Sequence, residues 1–193
     1  RDALSAKDKT MLIGYEGLAS NAYFEVLPVL ILNQKQDFPF CGRNRRPPKD
    51  AVNAMLSFAY TLMANDYIAA LETVGLDPYV GFLHTLRPGR ASLALDMMEE
   101  LRAYLGDRFV LSLINKRQIT SKDFLSQGDN GVVMTDKGKK VFISAWQSRK
   151  RELITHPYLN EKIEIGLLPY AQSMLMARFI RQDIDDYPVF LIK

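Results

Sequence analysis

The chain has one cysteine, Cys41, in 193 residues. An internal disulfide is therefore excluded, and the thiol content fits a reducing cytoplasm. Long apolar runs are missing too. The longest candidate, Val26 to Leu32, is broken by Pro28 and falls far short of the roughly 20 residues a membrane-spanning helix needs. The polar, charged opening is not that of a signal peptide. Its start on Arg1 instead of methionine reads as the start of a fragment. Charge of one sign is scarce: a net charge of +3 draws nucleic acid only weakly, so any such role must rest on local clusters. Also absent are a Cys-x-x-Cys zinc pattern, a P-loop, a His-Glu-x-x-His helix and a Gly-x-Ser-x-Gly elbow, as are repeats and low-complexity tracts.

What is present is an ordinary globular composition, 48% hydrophobic and 24% charged, long enough for one core and one domain over residues 1–193. Helical periodicity dominates. Residues 3 to 18 read as a short helix loosened by Gly14 and Gly17, and Ser20 reads as the cap of a second, from Asn21 to Leu32. A polar connector follows, and Pro47 and Pro48 suit the first turn of a long helix that runs past Val52, Leu56 and Met63 towards Val74. Ala91–Leu105 and Arg108–Lys116 continue the pattern, Thr135 caps a helix through Trp146, and Ile163–Ile184 closes the chain. The strand signal is thin. The expected class is mainly α, a multi-helix domain with at most one short β-hairpin.

Candidate chemistry is densest between Gly81 and Arg102. Asp96 and Glu99 stand three apart on a helix, so both emerge on one face, and His84 lies upstream beyond a Pro-Gly turn. Imidazole with carboxylates suits a divalent metal, and Arg87 and Arg90 suit phosphate. The blander readings stay open: a lone histidine is more often structural, paired acids are more often a solvated face, and Arg102 could neutralise Glu99. Glu16 sits in Gly14-Tyr15-Glu16-Gly17, where the glycines permit close approach of a ligand or simply fray a helix. Arg43, Arg45, Arg46 and Lys49, stiffened by Pro47 and Pro48, form a phosphate clamp or a solubilising surface. Arg149-Lys150-Arg151 is explained by a helix C-terminus, and His156 reads as structural.

Taken in order, these segments resemble one family. Tyr15-Glu16-Gly17 leading to Ala22-Tyr23-Phe24, Arg43-x-Arg45-Arg46-Pro47-Pro48 running into Asn53-Ala54, Gly81-x-x-His84, Asp96-x-x-Glu99 with Arg102, Thr135-Asp136-x-Gly138 and Gln172 are similar to the CRISPR-associated endonuclease Cas1, the integrase of spacer acquisition. The wording is closest to the type I-C branch. Ile13 departs from the pattern, since the family often has an arginine there.

The resemblance implies that Glu16, His84 and Glu99 are metal ligands for Mg²⁺ or Mn²⁺, with Asp96 assisting catalysis. It implies DNA phosphate contacts from Arg43, Arg45, Arg46, Lys49, Arg87 and Arg90. The implied activity is metal-dependent cleavage of double-stranded DNA and joining of spacer 3′-hydroxyl ends into the repeat array. The small protein Cas2 and a homodimer of the full-length protein are the implied partners. It further implies that the family's N-terminal β-rich domain is missing, residues 1–18 being the end of the helix that links to it. The alternatives are a DNA-binding or assembly module without catalysis of its own, and a phosphohydrolase acting on small nucleotides.

Overall fold

The structure, a computed structural model, describes residues 8–85 and 87–191. It divides into two compact units, one drawn from Arg1–Ser57 and Val110–Val141, the other from Phe58–Phe109 and Phe142–Lys193. Among the described residues no helix is long and apolar enough to cross a membrane.

The first unit opens with α1, Lys9–Val26, whose N-cap Asp8 accepts a hydrogen bond from the Met11 amide at 2.8 Å. The helix runs through both Gly14 and Gly17. Each glycine costs about 1 kcal/mol relative to alanine, too little to end it, so the expected break and the cap at Ser20 are corrected to one continuous helix. Pro28 sits in the first turn of a 3₁₀ segment, Leu27–Leu30, where its missing N–H is harmless. The connector is stitched to the end of α4, Arg108–Asn115: Asn115 accepts from the Leu32 amide and donates to Leu30 O, at 2.8 and 2.9 Å. α2, Ala51–Thr73, starts three residues later than the two prolines suggest, with Asp50 accepting from the Asn53 amide at 2.7 Å. Phe24, Phe38, Phe40, Met55, Ile114 and Ile119 are buried in this unit, and the Phe24 and Phe40 rings meet at 6.1 Å.

Two short strands complete it. β1, Phe124–Ser126, pairs antiparallel with β2, Val132–Met134, with Leu125 opposite Val133. The hairpin abuts the proline segment: the Val132 amide donates to Pro48 O at 2.8 Å. A Cβ on Gly131 would stand 2.4 Å from that same oxygen, and φ is +84° there. Gly131→Ala is thus expected to cost several kcal/mol through clash and a disfavoured backbone, read as a lowered urea midpoint. A parent-like midpoint would show that the hairpin yields freely.

The second unit contains the rest of α2, then α3, Ser92–Leu101, which passes into a π-helical turn, Arg102–Asp107. Gly106, between the two helices expected over residues 91–105 and 108–116, lies inside the π turn, where an added Cβ would meet the Tyr60 ring at 3.0 Å. α5, Asp136–Lys150, is capped by Thr135, whose hydroxyl accepts from the Gly138 amide at 3.0 Å. Phe142 and Trp146 from α5 meet Phe109 edge to face at 5.1 and 5.0 Å, and Lys150 pairs with Asp66 at 2.8 Å. β3, Leu153–Thr155, and β4, Lys162–Glu164, form a second antiparallel pair. α6, Leu168–Ile180, follows with Pro169 in its first turn.

The expectation of at most one hairpin is corrected, since the described residues hold two two-stranded sheets. Ile163, expected in the last helix, lies in β4. The strands were hard to see because each is three residues long, too short for an alternating pattern to emerge.

Candidate active site

α3 begins without a side-chain cap. Its first amides are instead taken by Pro78 O, which accepts from Leu93 and Ala94 at 2.9 and 3.3 Å, so the connector before the helix is tied to its N-terminal turn. Gly81 then passes so close that a Cβ would lie 2.7 Å from both Asp96 Oδ2 and the Ser92 carbonyl carbon. Only glycine fits that approach.

The segment that follows wraps around the Asp96 carboxylate. Oδ2 accepts from the amides of Phe82 and Leu83 at 2.6 and 2.8 Å, and Oδ1 from the amide of His84 at 3.0 Å. The fourth partner is the His84 ring, Nδ1 to Oδ1 at 2.5 Å. Burial alone raises the Asp96 pKa. The bonds from Leu83, the His84 ring, and the His84 and Phe82 amides outweigh it, and the carboxyl sits below its ordinary value.

With Nδ1 donating to a carboxylate, the neutral imidazole carries its lone pair on Nε2. That nitrogen makes no hydrogen bond among the described residues, and the side chain is 24% exposed. A carboxylate that orients a histidine in this way is the usual outer support of a metal-bound imidazole. Asp96, by contrast, has its acceptor sites filled by donors and holds the His84 segment in place.

Glu99 meets Arg102, whose Nη1 stands 2.9 Å from Oε1 and 2.7 Å from Oε2. The neutralising partner weighed from the sequence is therefore real. Arg102 lies over the Tyr60 ring, 6.0 Å from its centroid, and Tyr60 donates to the buried Asp107. Glu16 is exposed on α1 in the first unit. Among the described residues no group of three or more His, Cys, Asp and Glu side chains is placed to hold a metal ion. The pair that the structure does assemble is His84 with Asp96.

The basic connector divides by role. The Arg43 guanidinium faces inward, donating to Asn53 Oδ1 at 2.8 Å and to Ser57 Oγ at 3.0 Å, so it fastens the loop to α2. Arg45, Arg46 and Lys49 are exposed. In the second unit Arg87 is exposed and Arg90 half-buried, across a turn in which the Arg90 amide donates to Arg87 O at 3.0 Å.

Sequence reasoning missed Glu100. It stands next to Glu99 in the chain and is part of a buried polar network. Gln172, which the family resemblance did mark, is its direct partner at 2.8 Å.

A comparison with known families matches residues 1–148 to the one described as CRISPR associated protein Cas1. The chain belongs to the Cas1 family. A Cas1 endonuclease of Chlorobaculum tepidum is 54% identical over 186 residues, which is 96% of this chain and 54% of that protein. A solved Cas1 protein from Thermotoga maritima is 29% identical, with a TM-score of 0.81, over 91% of this chain and 53% of that one. A casposase bound to integration product is 22% identical with a TM-score of 0.86, covering 97% of this chain and 56% of that one, and shares the fold. The chain thus spans about half the length of these relatives. The Cas1 match starts at residue 1.

Proposed function

We propose that this Cas1-family chain carries the catalytic face of a metal-dependent DNA endonuclease and integrase of CRISPR adaptation. The observation that supports it most is the His84–Asp96 pair, with three backbone amides closed around the carboxylate and Nε2 left to a ligand. In this reading Glu16, His84 and Glu99 hold Mg²⁺ or Mn²⁺. Asp96 fixes the tautomer and the direction of His84. Glu99 would hold the metal in place of its bond to Arg102. When bound, the metal polarises a phosphodiester and activates the attacking oxygen, from water in cleavage or from a DNA 3′-hydroxyl in strand transfer.

Arg45, Arg46, Lys49, Arg87 and Arg90 grip backbone phosphates and supply affinity without sequence readout. Arg43 acts through the loop it holds. Double-stranded DNA, Cas2 and a second Cas1 copy in the full-length protein are the partners of this proposal, and the type I-C branch is its finest part. A second reading has one observation of its own. The Glu99–Arg102 ion pair also suits a DNA-binding or assembly module whose acids are structural.

Mn²⁺ calorimetry separates the two, with folding checked by circular dichroism. Saturable binding is expected in the parent and is expected to be lost in Glu16→Ala, His84→Ala and Glu99→Ala. Mn²⁺ at a hundred times its dissociation constant should also raise stability by about 2.7 kcal/mol. Binding indifferent to all three substitutions, with DNA held equally in chelator and in Mn²⁺, would establish the assembly module instead.

A further inference from the structure

Behind the candidate metal face of α3 lies a chain of buried polar groups that the proposed chemistry does not use. Glu100 projects about 100° round the helix from Glu99. Its Oε1 accepts from the Tyr187 hydroxyl at 2.6 Å, and its Oε2 accepts from Gln172 Nε2 at 2.8 Å and from the Phe190 amide at 3.0 Å. Gln172 is oriented in turn by His156, whose Nε2 meets Oε1 at 2.9 Å. The His156 ring accepts at Nδ1 from the amides of Tyr158 and Leu159, at 3.3 and 3.2 Å. Every proton in this chain therefore has one direction. His156 and Gln172 are both 0% exposed, and Phe190 packs against the rings of Tyr104 and His156.

Burying a carboxylate among neutral donors is a poor way to gain stability: desolvation raises its pKa, and hydrogen bonds only partly offset that. What such a network supplies is a unique position. That matters here because α3 changes to π-helical geometry one residue after Leu101, and a π insertion shifts the phase of every side chain around it. A group that pins the last turn before the insertion decides where Glu99 points.

We propose that Glu100 is a positioning residue for the candidate metal face, held from behind by the C-terminal segment Tyr187–Phe190 acting as a strap. This inference rests on the metal-site reading and assigns that site a support. The experiment is Mn²⁺ calorimetry on the whole chain, with hydrogen exchange over residues 187–191 and DNA affinity in chelator as companion measurements.

Glu100→Ala is expected to release the strap and weaken Mn²⁺ binding about tenfold, as loss of an outer support does, while DNA affinity in chelator stays at the parent value. Glu100→Gln keeps one oxygen to accept from Gln172 and the Phe190 amide, and its NH₂ can donate to the Tyr187 oxygen, which also accepts from Gln172 Nε2 at 2.8 Å, so it is expected to restore most of the Mn²⁺ binding that alanine loses. Tyr187→Phe, a milder change that serves should Glu100→Ala fail to fold, is expected to weaken binding a few-fold. Parent-like Mn²⁺ affinity in a folded variant with a released strap would overturn the inference, as would equal damage from alanine and glutamine. Parent-like binding in His84→Ala would instead overturn the metal site itself, and this support with it.

Discussion

Asp96→Ala is expected to weaken Mn²⁺ binding, and any metal-dependent DNA cleavage that accompanies it, by about 100-fold, although the carboxylate oxygens are already engaged by donors. The carboxylate accepts three backbone amides and one ring N–H. Without it those donors must find water or go unpaired, at about 1–3 kcal/mol for each that stays buried. The segment Phe82–His84 then loses the carboxylate that organises it, and His84 loses both its tautomer and its direction. Calorimetry and hydrogen exchange at residues 82–84 check the two halves separately. Asp96→Asn should fall between parent and alanine, because one amide oxygen remains while its NH₂ faces donors.

Acid has a related effect. The Asp96 pKa is depressed in the folded state, so its contribution to stability is complete above the ordinary value of about 3.9 and is lost as pH falls through the lower folded value. Glu100 is shifted upward and acts in the opposite sense, favouring the folded state as pH falls towards its folded pKa and on to the ordinary carboxylate value. Urea midpoints measured across that range in the parent and in Asp96→Asn should differ in their acid limb. Identical limbs would show that Asp96 is not held as described.

Much of this site was legible because it is local. His84, Asp96, Glu99 and Arg102 fall within nineteen residues, and helix periodicity alone places Asp96, Glu99 and Arg102 on one face. The reading was incomplete where a role depends on what a side chain touches. Arg43 and Arg45 look alike in sequence, yet one is an internal brace and the other an exposed cation, a difference set by Asn53 and Ser57 on the next helix. Glu100 differs from Glu99 only in its side of the helix, and its partners lie 72 to 90 residues away. The strands escaped for the opposite reason: three-residue pairs are specified by the turns between them and by what they pack on, such as Pro48 against Gly131, and not by a pattern of their own. Gly14 and Gly17 were over-weighted as helix breakers, since α1 is anchored at both ends by Asp8 and by the packing of Phe24 and Leu27.

Asn53→Leu is expected to disable the basic connector without removing a charge. Asn53 is wholly buried on the first turn of α2 and bonded on every side. Its oxygen accepts from Arg43 Nη1 and the Asn44 amide at 2.8 and 3.0 Å, and its NH₂ donates to Gly42 O and Asp50 Oδ2 at 2.9 and 2.6 Å. Leucine fills the volume and satisfies none of these. The loss includes a hydrogen bond to a charged guanidinium, and together the four bonds should lower stability by about 3 kcal/mol. The functional consequence is separable from this. Arg45, Arg46 and Lys49 follow the braced residues in the chain, and in the proposed DNA contact a loose loop would not hold their charges in register with successive phosphates. DNA affinity in chelator should fall, and the slope of log K against log salt should shrink by about 2 to 3, since each phosphate contact contributes close to 0.9. Arg45→Ala, which leaves the loop braced, should shrink the slope by about 1 and leave the urea midpoint unchanged. A folded Asn53→Leu variant with lowered stability and a parent-like salt slope would mean that the three cations reach DNA from a loose loop as well as from a braced one, and that the Arg43–Asn53 brace serves the core alone.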